Sequence, residues 1–202
     1  MTEQPSERNN LIMGIDQSFT SCGVVILDES GEVVVAQIIK SDKRMSDFQR
    51  SWTIFNEISK LSHRYSIKNV AIEGLAFGKF GNATRSLAIL QGVLVTNLLY
   101  LKRVEERENN IERVEIVTPS CLKKFATGKG KATKKDMIAH VPQELVASWK
   151  RDWSSKSVDD LADAYFLAKY FRNKLNVTDT CTDKEYVSSQ TAKTLIRLLP
   201  KN

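Results

Sequence analysis

LIMGIDQSFTSCGVVIL, residues 11–27, decides how the rest of the chain is read, because an acid closes one apolar run and a second run opens almost at once. Leu11, Ile12, Met13 and Ile15 are strand-compatible and nearly free of polar neighbours, the pattern of a strand buried on both faces within a sheet. Asp16 stands where that strand runs out, and Cys22 to Leu27 returns as its hairpin partner. A carboxylate at the end of a central strand is costly unless it is solvated, paired or bound to a cation. Two readings fit it: a ligand position, or a turn in which Asp16, Gln17 and Ser18 cap the bend before Gly23. The acids further along the chain separate them.

Working outward, Asp28 to Gly31 (DESG) is a turn and Val33 to Ile39, rich in β-branched residues, is a third strand, so the domain opens with three antiparallel strands. From Met45 to Tyr65, Phe48, Trp52, Phe55, Ile58 and Leu61 recur at spacings of 3 and 4, which predicts an amphipathic helix with all five in the core. NVAIEG, residues 69–74, repeats the opening logic: Val70, Ala71 and Ile72 form a buried strand, and Glu73 ends it before a glycine. The intervening helix makes this strand parallel to the first, and parallel neighbours bring their carboxyl ends to one sheet edge. Asp16 and Glu73 are therefore expected to meet. His63 and His140 are isolated and are assigned no chemistry.

Residues 75–84, LAFGKFGNAT, read as a loop in which Phe77, Lys79 and Phe80 suit stacking on unpaired bases, the alternative being that both rings tuck beneath the loop. Residues 84–102 form a long helix that is apolar on nearly every side and needs cover on two faces, one by the sheet and one by a second copy of the chain. A fifth strand, Val114 to Val117, is stopped by Thr118-Pro119. Lys123, Lys124, Lys129, Lys131, Lys134 and Lys135 follow with no acid between Cys121 and Lys135, and Gly128 and Gly130 predict a mobile loop. Such a concentration is either a solvated charge run or a contact for the phosphate backbone, where counterion release supplies affinity on any sequence. In SVDDLADAYFLAKYF, residues 157–171, a helix capped by Ser157 would bury Val158, Leu161, Ala162 and Tyr165. The helix N-terminus excuses part of its acidity, but Asp160 and Asp163, three apart, project from neighbouring turns, and Asp163 lies beyond the first turn.

Composition bounds the function. A chain of 202 residues with 42% hydrophobic and 27% charged residues is globular, with room for one domain. No run approaches the roughly 18 apolar residues of a membrane span, so no membrane partner is expected. Residues 1–10 are polar, contain acids and read as a disordered leader; residues 11–173 form the domain, and 174–202 a tail with a short helix at Leu195 to Leu199. Cys22, Cys121 and Cys181 make neither a disulfide framework nor a metal-ligand pair, which fits the cytoplasm. Thirty Lys and Arg against 24 Asp and Glu leave a charge of +6, concentrated in the lysine segment.

Two strand-end acids and a helix-borne pair would form a self-repelling cluster unless a divalent cation is present, and Mg²⁺ or Mn²⁺ favours oxygen ligands. Two ions in one site can activate a water and stabilise the leaving oxygen of a phosphodiester. The motifs GIDQS, AIEG, the Phe-bearing loop, LKKFATGKGKATKKD and DDLADA occur in an order that resembles the RuvC-type Holliday junction resolvases of the ribonuclease H-like superfamily, over about Leu11 to Phe171. The resemblance implies an α/β fold, a mixed five-stranded sheet with helices on both faces. It implies four acids at Asp16, Glu73, Asp160 and Asp163, with Asp159 the competitor for the third ligand, and DNA-contacting lysines best matched by Lys123 and Lys134. It further implies a homodimer that resolves four-way junctions with two Mg²⁺ ions per site, Mn²⁺ substituting, and no nucleotide cofactor. Lys134, beside the acids, is also a candidate catalytic residue. Gln17-Ser18 stand where many members carry Pro-Gly. Divergent members of this size are often encoded by bacteriophages and also act on three-way junctions and flaps. The rival classes are an actin-like or sugar-kinase-like ATP-binding protein, which needs a second lobe and a further Gly-rich motif, and a non-catalytic module that binds branched DNA.

Overall fold

The computed structural model describes residues 10–75, 81–101 and 111–178. Five strands, β1 (Ile12–Asp16), β2 (Cys22–Leu27), β3 (Val33–Ile39), β4 (Asn69–Glu73) and β5 (Arg113–Val117), form one sheet in the order β3-β2-β1-β4-β5. β1 pairs antiparallel with β2 and parallel with β4, and β4 pairs parallel with β5. The mixed sheet and the parallel placement of the two acid-bearing strands are those expected from the sequence.

Side chains alternate across a strand, so residue parity decides what each face carries. Met13, Ile15, Val24, Ile26, Val70 and Ile72 point to the face covered by α1 (Asp47–Arg64) and α2 (Asn82–Leu101), where Ile54, Phe55, Ile58, Leu90, Leu94 and Leu98 complete the core. Each such side chain, fully buried, stabilises by about 1.5 to 3 kcal/mol. The opposite face carries Gly14, Asp16, Gly23, Ala71 and Glu73, and there the small residues have a purpose. A Cβ on Gly14 would collide with the backbone of Ala164 and Ala168, and one on Gly23 with the carbonyl of Asp160. The missing side chains let α6 (Ser155–Thr178) lie directly on β1 and β2. From the other side α6 is covered by α3 (Pro119–Thr127) and α5 (Gln143–Asp152), with Phe125 edge-on to Tyr170 at 5.3 Å and Trp149 to Tyr165 at 6.3 Å. Val158, Leu161, Ala162 and Tyr165 are buried as their spacing predicts.

Four expectations require correction. Phe48 and Trp52 are not core: they are 67% and 53% exposed, because α1 turns only its Ile54, Phe55, Ile58 and Leu61 side inward. The lysine segment is not one loop: Lys123 and Lys124 lie in α3, and Lys134 and Lys135 open α4 (Lys134–Ala139), leaving Lys129 and Lys131 in the link between them. Capping stops and starts explain this. Thr118 and Pro119 begin α3, Gly128 ends it with φ of 77°, and Thr133 with Asp136 forms a capping box for α4. Helix α6 starts three residues earlier than expected: Ser154, not Ser157, caps it by accepting from the Ser157 amide. Asp159 and Asp160 therefore lie past the first turn, and the helix dipole does not account for them. Finally, α5 was not foreseen; its buried Val146 and Trp149 are too few to set a legible period. The chain divides into two units after Arg172, and of the second only Asn173 to Thr178 are described. The expectations for Phe77, Lys79 and Phe80, for residues 1–9 and for residues 179–202 lie outside the described residues.

Candidate active site at the carboxyl edge of the sheet

Asp16 ends β1 and Glu73 ends β4, on the face that α6 covers, and α6 brings Asp160 and Asp163 down onto them. Four acids separated by up to 147 positions thus share one electrostatic neighbourhood. Burial pushes the Asp16 carboxyl well above the usual range, and the charges of Glu73, Asp163 and Asp160 push it further. The hydrogen bond between the Asp16 and Glu73 carboxyls raises the first and lowers the second. Burial raises Glu73 as well, against the pull of that hydrogen bond and of Lys123 and Lys134. Asp163 is pushed up to about 7, by burial first and then by the Glu73 charge. Burial also raises Asp160, opposed by Ser21, Lys134 and Lys156.

The doublet Asp159-Asp160 separates clearly. Asp160 is 5% exposed and its Oδ2 is buried with no partner among the described residues, whereas Asp159 is half-buried and meets Lys134 from outside. Lys134, at the first position of α4, stands 3.8 Å from Asp160 and 3.9 Å from Asp159. Lys123 is close enough to act on Glu73 and Asp163. Lys124, Lys129, Lys131 and Lys135 are exposed and are not among the groups that shift the acids.

Three participants were missed by sequence reasoning. Gln17 donates through Nε2 to the Glu73 carbonyl at 2.8 Å, and Ser21 stands beside Asp160 with its hydroxyl 3.4 Å from that of Ser157. Lys156 faces Asp160 from one turn earlier. Only Lys156 had a legible signal, its spacing of four from Asp160 on one helix.

The donor set suits a hard divalent cation: all four candidate ligands are carboxylates, their mutual repulsion raises their proton affinity, and Asp160 leaves a buried oxygen unused. No three of the described His, Cys, Asp or Glu side chains are gathered as a closed metal shell.

A mixed five-stranded sheet with acids at the carboxyl ends of its parallel strands β1 and β4 defines the class, an α/β protein with a carboxylate site suited to a divalent cation. The family of crossover junction endodeoxyribonuclease RuvC matches residues 12–168, and the chain belongs to it. Among its relatives are the crossover junction endodeoxyribonucleases RuvC of Brachyspira hyodysenteriae, 29% identical over 78% of this chain and 91% of that one, and of Natranaerobius thermophilus, 27% identical over 76% and 89%. The fold is similar to that of Thermus thermophilus RuvC in complex with a Holliday junction substrate, with TM-score 0.62 and 18% identity over 82% of this chain and 97% of that one. It is also similar to the yeast mitochondrial Holliday junction resolvase, with TM-score 0.56 and 14% identity over 86% of each chain.

Proposed function

We propose that this chain resolves four-way DNA junctions through a site in which Asp16, Glu73, Asp160 and Asp163 hold two Mg²⁺ ions, with Mn²⁺ able to substitute. As a RuvC family member the chain is a crossover junction endodeoxyribonuclease, a hydrolase of phosphodiester bonds. The observation that carries the site is the convergence of four acids, each with its proton affinity raised, beside Lys134 and Lys123. When bound, the ions supply an activated water and charge for the leaving oxygen. The chain's own residues do the rest. Asp163, whose pKa burial and the Glu73 charge push up to about 7, would give up its proton to hold an ion. Lys134 holds Asp160 in place and presents its ammonium where negative charge grows on the phosphate. Lys123, Lys124, Lys129, Lys131 and Lys135 bind phosphates along both arms of the α3 to α4 segment. Phe77 and Phe80, with Lys79, stack on bases opened at the junction centre.

The chain acts as a two-fold dimer, one site for each strand cut. Support comes from the outer side of α2, where Arg85, Ala88, Gly92, Thr96 and Leu99 are exposed at helical spacing, and from the exposed Phe48 and Trp52 of α1. Small residues at 88, 92 and 96 let a partner helix approach closely, and the exposed Leu99, Tyr100, Phe48 and Trp52 supply apolar surface for a partner to cover. Leu94, by contrast, is fully buried and faces the core. Residues 11–173 are the nuclease domain, 174–202 an appendage, and the site of action is the cytoplasm, where the DNA is. Among the described residues no helix is long and apolar enough to cross a membrane.

The test is a synthetic four-way junction incubated with and without Mg²⁺. Paired, symmetric nicks that need the metal are the expected product. Asp16→Asn and Glu73→Gln bind the junction and do not cut it. Ca²⁺ supports binding with little cleavage, because its looser coordination does not hold the in-line geometry. Cutting by either variant at the parental rate contradicts the assignment.

A further inference from the structure

We propose that Gln17 is a positioning residue: its side-chain amide is the crossbar that sets the distance between the Asp16 and Glu73 carboxylates. This rests on the metal-site reading above and deepens it. The backbone ladder between β1 and β4 runs from Ile12 opposite Asn69 to Ile15 opposite Ile72 and stops one residue short of both acids. On its other side β4 stays tied, with Glu73 opposite Val117 and the Gly74 amide donating to the Val117 carbonyl at 2.7 Å. Toward β1, Glu73 is held by a side chain. Gln17 Nε2 donates to the Glu73 carbonyl at 2.8 Å. The amide cannot be turned over, since a carbonyl acceptor demands the NH₂ end.

The crossbar is itself braced. Gln17 is 7% exposed. Two residues on, the Phe19 carbonyl accepts from the Ser41 hydroxyl at 2.7 Å and from the Arg50 guanidinium at 3.1 Å, and Arg50 lies 4.5 Å over the Phe19 ring. The turn that carries Gln17 is therefore fastened to α1 and to the end of β3, so its side chain has a fixed origin. Gln17 Oε1 is buried with no partner among the described residues. A structural residue chosen only to fill that space would be apolar.

Ligands that must share an ion tolerate displacements of only about 0.2 Å. Losing an outer hydrogen bond that orients a ligand typically weakens metal affinity by roughly 10- to 100-fold. The experiment titrates Mn²⁺ alone, without DNA, into the metal-free full chain by calorimetry. It compares the parent, Gln17→Met, Gln17→Ala and Asp16→Asn at a temperature well below every unfolding midpoint. Gln17→Met keeps the volume and removes the donor, so a packing defect is not the cause of its effect. Both Gln17 variants are expected to bind Mn²⁺ at least about 10-fold more weakly, and Asp16→Asn to lose binding. If both Gln17 variants bind as the parent does while Asp16→Asn does not, the crossbar is wrong and the metal site stands. If Asp16→Asn also binds as the parent does, the metal site falls and the crossbar with it.

Discussion

The carboxyl edge of the sheet buries charge that ordinarily stays in water, while the outer side of α1 and α2 leaves in water aromatic surface that ordinarily is buried. At the edge, Asp16 and Asp160 are 7% and 5% exposed; on the outer side, Phe48 and Trp52 are 67% and 53% exposed. Both depart from the usual sorting of residue types, and such departures mark function more often than an ordinary core does. They differ in how they are held. The acids sit in a frame specified many times over: the parity of β1 and β4, Gly14 and Gly23 beneath α6, the Gln17 amide and the Lys134 ammonium. The aromatic patch has one ring contact among the described residues, Trp52 against Phe55 at 5.4 Å. A site for chemistry needs its geometry before the ligand arrives, whereas an interface is completed by the partner.

That contrast can be broken most severely at the edge. Asp16→Asn removes a charged ligand and is expected to lower junction cleavage by more than about 1,000-fold, on the order of 4 kcal/mol or more in the barrier, with gel-shift affinity nearly unchanged. Single-turnover cleavage at saturating protein measures it. Next comes the frame itself. Gly23→Ala places a methyl against the Asp160 carbonyl. It is expected to cost about 1 to 3 kcal/mol in denaturant unfolding, together with most of the activity.

A pH experiment sharpens the claim that the acids are strained without metal. The folded chain holds the Asp163 proton more tightly than the unfolded chain, about 7 against 3.8. With chelator present, this contribution to stability is complete below 3.8 and is lost as pH rises through about 7. The raised Asp16 and Glu73 act in the same direction. Chemical denaturation between pH 4 and 8 should show the metal-free chain losing a few kcal/mol, a slope that Asp163→Asn reduces and added Mg²⁺ offsets. A flat profile would mean that the acids are not crowded.

On the outer side, Gly92→Glu is informative because a side chain there meets nothing within 4 Å. It should weaken self-association by on the order of 2 kcal/mol, seen as monomers in sedimentation, while the fold gains slightly from a better helix former. The smallest effect belongs to the lysines. Replacing Lys124, Lys129 and Lys131 together by Ala should reduce the slope of log affinity against log salt by roughly 3, on linear and branched DNA alike, with the cleavage rate of bound junction retained.

Much of this was legible because the signals are local. An apolar run ending in an acid marks a strand end wherever it occurs, and a helix between two such runs makes them parallel, so Asp16 and Glu73 could be brought together on paper. Gly14 and Gly23 carried no such signal, although they decide how near α6 comes. Nor did Gln17, whose partner is a backbone atom 56 positions away. Phe48 and Trp52 show the opposite failure: a helical period reports which residues share a face and is silent on whether anything lies opposite it.

By itself the sequence determined the strands, their mixed pairing, the acids that end two of them and the lysine-rich segment, since each follows from period, strand-end position or composition within a short stretch. Only the tertiary structure decided which member of the Asp159-Asp160 pair turns inward, that Lys134 reaches it from the start of a helix, and that two of the five α1 stripe residues stay outside. Those outcomes depend on how elements far apart in the chain approach one another. The approach is set by what their surfaces lack, a side chain at Gly14 and at Gly23, as much as by what they carry.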